Sequence, residues 1–142
     1  MLSIYNTLTS KKDRKKFTVS EDEGKRAITM YKVIEEFEFT SLIRLNLKTG
    51  RTHQIRVHLS SIGKPIFGDA TYGGRQIRFG SELPQIKNRV HNLLEIMPRQ
   101  ALHAKTLGFT HPKTKGVIRF DSKLPQDFQH LISNLKNQTS NN

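Results

Sequence analysis

One short stretch concentrates the side chains best suited to chemistry. In TGRTHQIRVHL, Arg51, His53, Arg56 and His58 follow a Thr-Gly turn and fall within eight residues. Exposed backbone N–H groups at a helix start, with Arg51 beside them, suit a phosphate. Arg56 can fork onto a carboxylate or a phosphate. A surface helix with scattered charge fits the same letters, and the residue types alone leave the two readings even. His53 and His58 are five apart, so they do not share a helix face as an i, i+4 pair would. With no cysteine and no acid at ligand spacing, the expectation is no metal site.

Two further segments carry polar groups. GDATYGG offers Asp69 and Tyr72, but a Gly-Asp turn more often uses its carboxylate to hold its own backbone. RQALHAKTLGFTHP sets Arg99, His103 and Lys105 among Leu102, Leu107 and Phe109. Taken alone, that segment is an ordinary strand with basic ends.

The elements that must position these groups follow from periodicity. Strands are predicted at Tyr31–Phe39 and Ser41–Lys48. In the second, Ile43, Leu45 and Leu47 alternate with Arg44, Asn46 and Lys48. A short helix is predicted over 52–62, capped by Thr52, with an apolar stripe of Ile55, Leu59 and Ile62. Gly63 and Pro65 end it. His53, Arg56 and Ser60 then lie on the opposite, polar face. An Arg56→Ala change on such a face is expected to cost no more than about 0.5 kcal/mol. A second helix opens at Pro84, with Ile86, Val90, Leu93, Leu94 and Met97 as its stripe. Strands at Leu102–Thr110 and Val117–Ser122 flank the turn HPKTKG as a hairpin. A last amphipathic helix follows Pro125, with Phe128, Leu131, Ile132 and Leu135. Residues 1–26 are expected to be an irregular basic start and 137–142 a disordered tail. The predicted class is α+β, with a mixed, largely antiparallel sheet and flanking helices.

Composition names the partner class. The chain has 142 residues and 24 Lys plus Arg against 12 Asp plus Glu, a net charge of +12. Such an excess, spread along the chain, calls for a polyanion, with nucleic acid first. The sequence shows no signal peptide, lipidation motif or apolar run of membrane-spanning length, so no membrane is expected. The lack of cysteine fits a reducing, cytoplasmic compartment.

Taken together, these segments are more specific than any one of them. LKTGRTHQIRVHLSSIGKPIFGDATYGG followed by RQALHAKTLGFTHPKTKG closely resembles the C-terminal half of the RluA family of RNA pseudouridine synthases. GKRAITMYKV upstream and LPQDFQHLI downstream extend the resemblance over roughly Lys11 to Leu135. The resemblance implies a partial pseudouridine synthase fold, a basic RNA cleft, and uridine isomerisation in ribosomal or transfer RNA without cofactor. In the family the nucleophile is an aspartate in an HRLD-like motif. None of Asp13, Asp22, Asp69, Asp121 and Asp127 stands in that context. The resemblance makes Arg56 the partner of that absent aspartate and places Leu102 near the base pocket. It puts Arg51, His53 and Lys64 at the RNA-facing edge. With His58, Arg99, His103 and Lys105 these make the expected RNA-binding set. The chain is therefore expected to be the C-terminal portion of a catalytic domain, inactive alone, with the missing N-terminal half as a further partner. A truncated gene product, a piece of a split gene and an excised fragment stay open. A non-catalytic RNA-binding module derived from the family is the second reading. A helix-turn-helix DNA binder built on THQIRVHLSSIG does not suit the flanking strands.

Overall fold

The alternation around Ile43 does build a strand. β3 (Lys25–Glu36) and β4 (Thr40–Leu47) pair antiparallel, with Val33 opposite Ile43, Tyr31 opposite Leu45 and Lys32 opposite Arg44. Ile43, Leu45 and Tyr31 are buried, whereas Lys32, Arg44 and Asn46 are exposed. Period-two geometry thus sends one set to the core and the other to an open face. The register shifts between Val33 and Glu35, so Ile34 is the extra residue of a bulge.

The computed structural model describes residues 2–6, 15–22, 25–50, 52–76 and 83–139. The start of the chain departs from expectation. β1 (Leu2–Asn6) and β2 (Lys15–Asp22) are strands, and β3 already begins at Lys25. Phe17 and Val19 alternate with Lys16, Thr18 and Ser20, a strand pattern that the charge count obscures. Lys11, Lys12 and Arg14 lie outside the described residues.

β5 is short, Leu102–His103, and completes a five-stranded sheet in the order β2-β3-β4-β1-β5. Every described pairing in it is antiparallel. The strand expected over Leu102–Thr110 is broken. β5 belongs to the large sheet, while β6 (Thr106–Thr110) pairs with β7 (Val117–Asp121) as a separate hairpin. At the break, Ser122 Oγ donates to the Ala104 carbonyl at 3.1 Å and Ser122 N–H to that of Lys105 at 2.7 Å.

Three helices cover the buried face: α1 (Gln54–Ser61), α2 (Pro84–Ile96) and α3 (Gln126–Thr139). Val90, Leu93 and Leu94 of α2, with Met97 just beyond it, and Phe128, Leu131 and Leu135 of α3 join Tyr31, Ile43 and Leu45 in one core. Helix α3 takes in residues 137–139, where a disordered tail was expected, and 140–142 lie outside the described residues.

Candidate active site

Helix α1 is shorter than its periodicity predicted. Its N-cap is His53, not Thr52, and His53 is left-handed, with φ of 52° and no side-chain cap. Its C-terminus follows the sequence closely. Lys64 N–H reaches the Leu59 carbonyl at 2.8 Å and Gly63 N–H the Ser60 carbonyl at 3.0 Å, with Gly63 at φ 72°. This is a Schellman stop, which the open φ of glycine permits.

The buried face of α1 also differs. It consists of Gln54, Ile55, His58 and Leu59, while Ile62 is 39% exposed. Gln54 and His58 are four apart and both point at the sheet. Gln54 Nε2 donates to the Ile28 carbonyl and to Thr29 Oγ1, each at 3.0 Å. Thr49 Oγ1 donates to Gln54 Oε1 at 2.7 Å and receives Ile28 N–H at 3.0 Å. Thr29 Oγ1 lies 2.8 Å from His58 Nδ1. A neutral imidazole satisfies this contact as donor or acceptor, according to its tautomer. Burial lowers the His58 pKa in the same sense. His58, expected among the RNA-binding residues, is 2% exposed and lies against Thr29 in the contact between α1 and the sheet.

On the other side of α1 stands an arginine that is fully organised. Arg56 donates from Nε to Asp69 Oδ2 at 2.7 Å and from Nη2 to Oδ1 at 2.9 Å. Its guanidinium also lies over the Tyr72 ring, 4.9 Å from the centroid. Asp69 is 1% exposed, and its Oδ1 also accepts Thr71 and Tyr72 N–H at 3.1 and 3.3 Å. The hydrogen bonds from Arg56 and these two backbone N–H groups hold Asp69 below the usual carboxylate range, despite burial. The Asp69 hydrogen bond in turn raises the Arg56 pKa, so the guanidinium stays charged.

The loop that carries Asp69 is built by glycine. A Cβ at Gly74 would meet the Ile66 carbonyl oxygen at 1.7 Å, and one at Gly68 the Arg99 oxygen at 2.3 Å. Those close approaches let Gly68 N–H bond to the Gly74 carbonyl and Gly74 N–H to that of Asp69, at 3.0 and 2.7 Å. The turn thus holds its own backbone, as GDATYGG suggested, and the same carboxylate also grips Arg56.

Tyr72 ties the cluster together. Its hydroxyl lies 3.0 Å from His53 Nδ1, and its carbonyl accepts Ser60 Oγ at 3.2 Å. The structure thereby gathers Arg56 and His53 around Tyr72 and Asp69. Sequence reasoning noted Asp69 and Tyr72 but did not join them to Arg56.

The remaining expected residues fall elsewhere. Arg99 makes a tie to the start of α3. Its Nε and Nη2 fork onto Asp127 at 2.9 Å each, and Nη1 reaches the carbonyls of Gln100 and Leu102. His103 Nε2 lies 2.8 Å from Ser122 Oγ. Lys105 pairs with Asp121 at 2.7 Å. Leu102 is half-buried and packs against the core from β5, and Lys64 is half-buried after α1. Arg51 lies outside the described residues. Among the described residues no group of His, Asp and Glu could hold a metal ion.

What the cluster can do is limited by its saturation. Asp69 is buried with both oxygens engaged, so it is a poor nucleophile. Arg56 keeps Nη1 without a hydrogen-bond partner among the described residues. It is a fixed cation with one end open to an anion.

Known proteins give this geometry a family. The family model described as RNA pseudouridylate synthase matches residues 2–61. An uncharacterized RNA pseudouridine synthase of Chlorobaculum parvum is 46% identical over 132 residues, 89% of this chain and 39% of that protein. Ribosomal large subunit pseudouridine synthase D of Blochmanniella floridana is 46% identical over 113 residues, 80% of this chain and 35% of that one. The protein of the same name from Pseudomonas aeruginosa is 45% identical over 117 residues, 81% and 35%. The chain thus spans somewhat over a third of the length of these relatives. The solved structure of human RNA pseudouridylate synthase domain containing 4 matches 95% of this chain and 60% of its own, with TM-score 0.66 at 23% identity. That likeness shows the fold.

Proposed function

The chain belongs to the RluA family of RNA pseudouridine synthases, and on that premise we propose that it is the C-terminal part of an enzyme isomerising uridine to pseudouridine in RNA. The reaction exchanges the bond from ribose to a uracil nitrogen for one to a uracil carbon. No atoms are gained or lost, so neither redox partner nor cofactor is required. The relatives named for the ribosomal large subunit make ribosomal RNA the first substrate to try, with transfer RNA next.

The observation that carries this reading is the fixed Arg56. Asp69 and Tyr72 hold it from two directions, leaving Nη1 to meet an incoming carboxylate. In the completed enzyme that carboxylate is the nucleophilic aspartate of an HRLD-like segment, kept ionised by the neighbouring charge. A prepositioned guanidinium spends no conformational entropy when the aspartate arrives. His53, beside Tyr72 at the start of α1, and Lys64, just past its end, are assigned to face RNA, and Leu102 to contribute to the base pocket.

The test is turnover in the chain completed with an aspartate-bearing segment. Arg56→Ala should abolish pseudouridine formation while RNA affinity falls only modestly. Arg56→Lys should rescue part of the activity, because a lysine lacks the fork that engages Asp69. Full activity in the alanine variant would refute the role. Equal losses of binding and turnover would make Arg56 a simple RNA contact.

A further inference from the structure

Among the described residues, the helices cover one face of the large sheet, and Lys32, Arg44 and Asn46 are exposed on the other. On that open face Lys32 and Arg44 stand directly opposite each other on β3 and β4, with Asn46 two residues along. Like charges in that position are destabilising, and neither has an ion-pair partner among the described residues. The β6–β7 hairpin faces β4 across a groove of about 740 Å³. Arg44, Asn46, Lys105, Thr106, Leu107 and Arg119 are among its lining residues. Its one carboxylate, Asp121, is committed to Lys105 and Thr106 at 2.7 and 2.9 Å. Arg119, which lowers the Asp121 pKa from a distance, forms no ion pair of its own among the described residues. The groove therefore carries two unpaired guanidinium groups and a lysine beside them.

We propose that this groove, between the open face of β4 and the β6–β7 hairpin, is a second RNA-binding surface that takes the sugar–phosphate backbone of a single strand. The inference rests on the RNA-binding part of the proposed function. It places the contact on the face away from α1, whose Gln54 and His58 reach Thr29 on the helix-covered side. Charge complementarity selects the occupant. Guanidinium groups fork onto phosphates, and Asn46 and Thr106 add polar contacts of the kind that position a backbone without reading sequence. Leu107, 61% exposed at the rim, offers a base an apolar surface. Bound phosphate would also relieve the repulsion between Lys32 and Arg44.

Arg44 and Arg119 are exposed and outside the core, so their substitution should leave the fold intact, which a thermal melt verifies. The probe is a fluorescent single-stranded RNA of mixed sequence, titrated with the 142-residue chain over a salt series. Losing two phosphate contacts should flatten the slope of log K against log salt by about 1.4 in the Arg44→Ala/Arg119→Ala variant. At about 50 mM salt this corresponds to a loss of between roughly tenfold and a hundredfold in affinity. Lys87→Ala/Lys136→Ala removes two charges from the helical side and should cost clearly less. Equal effects from the two double variants would overturn the groove, because net charge alone would then explain binding. A wild-type chain that binds no RNA at low salt would overturn the RNA reading itself.

Discussion

Arg56 and Asp69 are worth more to each other than an exposed polar face suggested. The expectation of at most about 0.5 kcal/mol for Arg56→Ala assumed a solvated side chain. Its partner carboxylate is instead 1% exposed and would be left buried without its cation. Breaking a buried pair on one side costs about 3–5 kcal/mol. Arg56 itself is 15% exposed, which puts this case at the lower end. Denaturant unfolding of Arg56→Ala should therefore show a loss near ~3 kcal/mol. Asp69→Asn should lose less, because an amide oxygen can still accept Thr71 and Tyr72 N–H. His58 governs a different variable. Its pKa is lowered by burial, so the unfolded chain binds the proton more readily below about 6.5. The stability due to a neutral His58 is present above that pH and is lost as pH falls through it toward the lower folded value. Melting temperatures at about pH 7.5 and 5.5 should drop for the wild type, and drop less for His58→Gln. Parallel profiles for the two proteins would assign the acid sensitivity to other groups.

The loop and the strands show how far element-level reading reaches. Gly74→Ala drives a Cβ into the Ile66 carbonyl oxygen, so the GDATYGG loop must open. Backbone overpacking of this kind costs about 1–3 kcal/mol or more. The variant should also release Arg56, which a parallel loss of turnover in the completed enzyme would register. Nothing in a Gly-Gly pair reveals such an approach, because it depends on a contact made after folding. β3, β4, α2, the β6–β7 hairpin and most of α3 were legible because burial on one face writes a period into the residues. β1 and β2 were not. β1 pairs non-locally with β4 and β5, and in β2 lysines crowd the strand pattern of KKFTVSED, although its pairing with β3 is a local hairpin. In α1 the boundaries shifted because His53, not Thr52, takes the left-handed turn. The polar pair Gln54 and His58 was readable from its i, i+4 spacing, but polar residues were assigned to the outside by default. Arg56 was identified by resemblance and its class of chemistry by residue type. Its partner Asp69 lies 13 residues away, and only the tertiary structure joins them.

Over the whole molecule, charge dominates. The net +12 is distributed over both faces of the sheet, with Arg56 on one and Lys32, Arg44 and Arg119 on the other. RNA affinity should be strongly salt-dependent. Six phosphate contacts would give a slope of log K against log salt of about −4 to −5. No helix among the described residues is long and apolar enough to cross a membrane. We propose that this chain supplies the arginine half of a carboxylate–guanidinium active site, completed by an aspartate from a further segment. Pseudouridine mapping on unmodified ribosomal RNA tests it directly, with the chain alone and with the chain joined to an aspartate-bearing segment. The expected result is no pseudouridine above a protein-free control for the chain alone, and turnover dependent on Arg56 once the segment is added. Turnover by the 142-residue chain alone would contradict it and would return Asp69 to consideration as the nucleophile.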